Sequence, residues 1–61
     1  MMVYGYKVEP KANLRGANLR KASVHGLDMH KANLNRANLM GADLTEANLT
    51  GADLSYADAR D

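Results

Sequence analysis

From residue 12 onward the chain keeps one rhythm: an apolar residue, a polar one, a second apolar residue, then two that are small or polar. The second apolar column runs Leu14, Leu19, Val24, Met29, Leu34, Leu39, Leu44, Leu49, Leu54 and Ala59. Two residues before each stand Ala12, Ala17, Ala22, Leu27, Ala32, Ala37, Ala42, Ala47, Ala52 and Ala57. Between the columns lie Asn and Asp, with Ser23 the one exception.

A period of five suits no straight element. On an α-helix each step rotates the apolar pair by about 140°, so no stripe forms. On a straight strand an odd step sends successive pairs to opposite faces. Within one repeat, however, the two apolar residues are two apart, which is the spacing of a strand. A short extended piece can point both inward, provided the next two residues turn the chain. Gly16, Gly26, Gly41 and Gly51 fall at the last repeat position, where relaxed backbone limits favour a corner. The neighbouring Asn and Asp can hydrogen-bond the local backbone in Asx-turns. A chain that turns this often with its apolar side chains inside winds into a solenoid.

Repeats such as Ala12-Asn13-Leu14-Arg15-Gly16 and Ala42-Asp43-Leu44-Thr45-Glu46 resemble the pentapeptide-repeat family, over residues 12–61. The resemblance implies an all-β fold, a right-handed quadrilateral β-helix with four repeats per coil and about two and a half coils. Residues 20 apart then stack, placing Leu14 under Leu34 and Leu54, Leu19 under Leu39 and Ala59, Val24 under Leu44, and Met29 under Leu49. Leu27 departs from the Ala column and should swell one face of the first coil. Local repacking against Ala47 above it absorbs the difference without opening a cavity.

Residues 1–11 break the repeat and form a separate N-terminal segment. Met2, Val3, Tyr4, Tyr6 and Val8 give it apolar, strand-prone character, and Gly5 allows a bend. Two roles are open to it: a cap folded across the first coil, or an arm that adds a strand to a partner. At the other end the repeats run to the last residues, and a bare coil edge invites another chain. Met40, Tyr56, Asp58 and Arg60 are the outward residues expected to take part in protein contacts.

Charge adds a direction. Residues 1–36 hold seven basic residues, Lys7, Lys11, Arg15, Arg20, Lys21, Lys31 and Arg36, against Glu9 and Asp28, a balance of +5. Residues 37–61 hold Arg60 against Asp43, Glu46, Asp53, Asp58 and Asp61, a balance of −4. The net charge of +1 therefore conceals what should be a polarised rod. Complementary ends suggest stacking of copies or docking on a larger assembly.

The remaining observations mostly exclude. There is no cysteine, hence no disulfide, and no Cys/His cluster for zinc. The N-terminus lacks a charged and apolar leader, and no run is long enough to span a membrane, so a cytoplasmic (bacterial) or virion location is expected. His25 and His30 sit at equivalent corners of adjacent faces and should diverge rather than share a metal. No nucleophile stands beside a base, so no catalytic residue and no cofactor is expected. The basic residues Lys11, Arg15, Arg20, Lys21, Lys31 and Arg36 could contact phosphates, but they circle the coil without interleaved aromatics. Nucleic-acid binding is thus the lesser alternative. The quinolone-resistance members of the resembled family mimic DNA and bind DNA gyrase as long acidic dimers, a pattern that this short, slightly basic chain departs from. The expectation is a non-enzymatic structural or protein-interaction module that associates through its coil ends and outer faces, for which a phage capsid decoration subunit is one suitable setting.

Overall fold

The computed structural model describes residues 1–60; Asp61, the last position claimed by the repeat, lies outside the described residues. Each repeat is closed by the same corner. The N–H of the Ala-column residue donates to the carbonyl of the preceding Leu-column residue, as from Ala17 to Leu14 and from Ala37 to Leu34, both 3.0 Å. A bond between residues three apart, with positive φ at the third residue of the four, is a type II turn. That residue is always the last of the repeat, and from Lys11 to Tyr56 all ten have φ between 60 and 72°. The sequence marks four of these corners with glycine. Lys11, Lys21, Lys31, Arg36, Glu46 and Tyr56 adopt the same left-handed backbone despite carrying a Cβ.

The polar column pins each corner from outside. Asn13 Oδ1 accepts from the Arg15 N–H, Asp43 Oδ1 from Thr45, Asn48 Oδ1 from Thr50 and Asp53 Oδ1 from Ser55, at 2.9–3.2 Å. These are Asx-turns, in which a side-chain oxygen takes an N–H that the turn leaves unpaired. Hydrogen bonding also holds several of these carboxyls below their ordinary value. Asp43 is lowered by Thr45, Asp53 by Ser55 and Asp58 by Arg60, in each case through the side chain first and then the backbone N–H.

Four corners bring the chain back over itself. Parallel bridges join Asn13 to Asn33, Asn18 to Asn38, Ser23 to Asp43, Asp28 to Asn48, Asn33 to Asp53 and Asn38 to Asp58, each pair 20 residues apart. In each bridge two bonds run between layers. Leu14 N–H donates to the Asn33 carbonyl at 2.7 Å, and Asn33 N–H donates to the Ala12 carbonyl at 2.8 Å. The corner residue adds a third bond, as from Gly16 N–H to the Asn35 carbonyl at 2.9 Å. Only single residues pair on each face, because the next turn begins immediately. The repeats therefore contribute bridges, and the two named strands lie in the N-terminal segment: β1 (Met2–Val3) and β2 (Tyr6–Lys7).

The core is the pair of apolar columns. Leu14, Leu19, Val24, Met29, Leu34 and Leu39 are fully enclosed, with Ala17, Ala22, Ala32 and Ala37 between them. Leu27 is half-buried against this core, and the described residues enclose no cavity. The columns lose their cover towards the C-terminus. Leu44 and Leu49 are half-buried, Leu54 is 41% exposed and Ala59 is exposed. The expected interior stack thus weakens upward, because no described residue lies over the last layer. The shape also differs from a rod. The extents are 23 × 21 × 20 Å, since each layer consumes 20 residues for one strand spacing of about 4.8 Å.

β1 and β2 form a tight antiparallel hairpin with Met2 opposite Lys7 and Val3 opposite Tyr6. Tyr4 and Gly5 both have positive φ, at 53 and 84°, as a two-residue type I′ turn requires. Val3 and Val8 are buried with the core, while Met2 and Tyr4 are exposed.

Corners, core and Asx-turns each lead to measurable outcomes. Gly26→Ala meets no steric obstacle but must hold a Cβ at φ 71°, so it should lower unfolding free energy by about 1 kcal/mol. Glu46→Gly, which relieves the corner stacked above it, should raise that energy by about 0.5 kcal/mol; urea unfolding measures both. In the same assay Leu34→Ala should cost about 3 kcal/mol and Leu54→Ala less than about 1, since only Leu34 is enclosed on all sides. The lowered Asp carboxyls give stability that is present above the ordinary value of 3.8 and is lost as pH falls below it, through their folded-state values. Acid titration followed by circular dichroism should show that loss. Asp43→Asn with Asp53→Asn should shrink it, because the amide keeps the Oδ1 acceptor and cannot be protonated there.

Candidate protein-interaction site

The hydrogen-bond pattern makes the two edges of the stack unequal. In a covered layer, the Leu-column N–H groups and the Ala-column carbonyls point to the next layer. Leu34 N–H donates to the Asp53 carbonyl at 2.8 Å, and the Ala32 carbonyl accepts from the Asp53 N–H at 3.0 Å. In the last layer the same groups recur without partners among the described residues: the N–H groups of Leu44, Leu49 and Leu54, and the carbonyls of Ala42, Ala47 and Ala52. This edge also exposes part of the apolar interior through Leu54. Unpaired backbone beside exposed aliphatic surface is the physical character of a strand-adding site.

Outward side chains surround this edge. Tyr56 is 80% exposed, and its ring faces the guanidinium of Arg36 one layer below, 5.0 Å from ring centroid to Cζ, a cation–π contact between stacked corners. Arg60 donates from Nε and Nη2 to the two oxygens of Asp58, at 2.9 and 2.8 Å. Met40 is half-buried, one layer below Arg60. Asp43, Glu46 and Asp53 complete an acidic perimeter.

The opposite edge carries the hairpin. Tyr4 Oη donates to the Arg20 carbonyl at 3.1 Å, and Asn18 N–H donates to Tyr6 Oη at 3.4 Å. Of the five N-terminal residues expected at a partner interface, Val3 and Val8 are buried in the chain's own core, Tyr6 is half-buried against it, and Met2 and Tyr4 face outward. The basic residues are all exposed and spread over several corners. Lys11 and Lys31 share one stacked column, Arg15 donates from Nε to Asn35 Oδ1 at 3.2 Å, and Arg36 is turned to Tyr56.

His30 Nδ1 lies 2.9 Å from Asp28 Oδ1, a local pair within one repeat. No group of three His, Cys, Asp or Glu side chains converges among the described residues. No helix of the described residues is long and apolar enough to cross a membrane.

The sequence columns placed Leu44, Leu49 and Leu54 in the core stack, and did not reveal that these residues lie at its open edge. They also missed the alternating direction of the free backbone groups, which depends on the register of 20 and not on residue type. The two tyrosine hydroxyls were missed as well, since their partners are 16 and 12 residues away.

A search of curated proteins finds no match to this chain. The family model for pentapeptide repeats matches residues 10–36 and 28–61, with eight copies of the repeat. Repeats of this family imply a β-helix, and its proteins are generally structural or protein-interaction modules without enzymatic activity. With its parallel bridges at 20-residue intervals and a corner at every fifth residue, the chain belongs to the pentapeptide-repeat family.

Proposed function

We propose that this protein is a non-enzymatic interaction module, a right-handed quadrilateral β-helix of about two and a half coils that binds other protein through its C-terminal edge. The observation that carries the proposal is the edge itself: Leu54 is 41% exposed, beside the N–H groups of Leu44, Leu49 and Leu54, which have no partner among the described residues. A rigid edge of this kind needs no ordering before it binds, so association loses little conformational entropy. The neighbour is either another copy or a component of a larger assembly, in the bacterial cytoplasm or on a virion surface.

The basic corners support phosphate binding less well. Arg15 and Arg36 are engaged with Asn35 and Tyr56, and the others are spread over separate corners.

The cross-section, about 20 Å on a side, gives a footprint of roughly 400 Å² per partner, which places association through this edge in the weak range. Sedimentation velocity over a wide concentration range should therefore show an average mass that starts at 6.6 kDa and climbs with concentration. Leu54→Lys should suppress the climb without unfolding the chain. A wild-type protein that stays monomeric at millimolar concentration would remove edge-mediated self-association.

A further inference from the structure

We propose that the C-terminal edge receives the N-terminal layer of a second copy of this chain, and that the β1–β2 hairpin is a stopper that occupies that layer until it is displaced. The inference rests on the edge-binding function proposed above and specifies its partner.

The shape of the edge selects the partner. Each face offers one Ala carbonyl and one Leu N–H before a corner redirects the backbone. A straight strand could meet one face only, whereas a chain with a corner every five residues can follow the whole perimeter. The bonding groups narrow the choice further. Inside the protein, the Leu N–H and Ala carbonyl of one layer are matched by the carbonyl and N–H of an Asx-column residue in the next. Downward-facing groups of that kind belong to the first layer, at Asn13, Asn18, Ser23 and Asp28. Charge agrees with the bonding. The first layer carries Lys11, Arg15, Arg20, Lys21 and Lys31 against Asp28, and the last carries Asp43, Glu46, Asp53 and Asp58 against Arg60, which is paired to Asp58. Head-to-tail contact sets basic corners on acidic ones, while two C-terminal edges turned face to face would set acid on acid.

The hairpin holds the groups that such a contact needs, and it holds them by imitation. In the stacked column of residues 20, 40 and 60, the Met40 carbonyl accepts from the Lys21 N–H and the Arg60 carbonyl from the Gly41 N–H. The Arg20 carbonyl has no layer beneath it, and there the Tyr4 hydroxyl donates instead. In the column of residues 18, 38 and 58, Asn38 N–H donates to the Ala17 carbonyl and Asp58 N–H to the Ala37 carbonyl. Asn18 N–H has the Tyr6 hydroxyl in that place. Two hydroxyls thus stand in for one corner N–H and one Ala carbonyl of a lower layer. Val3 and Val8 supply the apolar cover. Both hydroxyl bonds are solvent-exposed and span 3.1 and 3.4 Å, so a genuine layer competes with them on favourable terms.

The full-length chain tests the proposal. Tyr4→Phe with Tyr6→Phe keeps both rings and removes both hydroxyls. In sedimentation velocity the double variant should associate about tenfold more tightly than wild type. Its mass should continue past the dimer, since a heterologous contact does not close. Raising the salt should weaken association in both proteins, and adding Leu54→Lys should abolish it. Wild-type association that the double variant leaves unchanged would overturn the stopper while leaving edge binding intact. Association that stops at a dimer or strengthens with salt would overturn the head-to-tail arrangement, because that is the behaviour of two acidic edges meeting. Absence of association in every variant would overturn both this inference and the function on which it rests.

Discussion

The corner at every fifth residue is the constraint from which the rest follows. A left-handed residue at the end of each repeat, closed by a bond across the turn, redirects the backbone before a second pair of side chains can reverse face. Four such corners return the chain over itself, and only then can the leucines meet and the backbone groups pair. Six of the corners carry a residue other than glycine. The αL backbone costs such residues roughly 1–2 kcal/mol each. Layer bonds and the buried leucine columns outweigh that cost, which is why this conformation persists in Lys, Arg, Glu and Tyr. At two stacked corners space adds a reason for glycine: an added Cβ on Gly41 or Gly51 would lie 3.2 Å from the Cγ of Lys21 or Lys31 below, closer than ordinary van der Waals contact.

The same construction makes the ends chemically different. Layer-to-layer bonding has a direction, so one edge presents Leu N–H and Ala carbonyl while the other presents the Asx backbone. A small protein with two equivalent open edges would be prone to unlimited stacking. Here one edge is occupied by a hairpin of the chain's own and the other is bordered by carboxylates. Those carboxylates serve two purposes at once, since Asp43 and Asp53 also close their own Asx-turns. Asparagine performs the turn role equally well at Asn13 and Asn48. Asp43 and Asp53 therefore add charge to the edge while making the same turn bond as Asn48 beside them.

The amino-acid order by itself determined a great deal. The spacing of Leu14, Leu19, Leu34 and Leu39 excludes helix and flat sheet and demands regular turning, and all four are buried as that spacing requires. The polar column announced its turn-forming role, because Asn and Asp act on neighbours two residues away. Such local chemistry is legible in a string of residues. Tertiary structure alone decided what depends on long separations or on where layers stop. Leu54 holds the same repeat position as Leu34, yet one is exposed and the other enclosed, because burial is conferred by the layer above. Tyr4 and Tyr6 resemble generic strand residues, and their hydroxyls acquire meaning only where the missing layer would have been. Position within the stack, which no five-residue pattern encodes, separates core from surface in this protein.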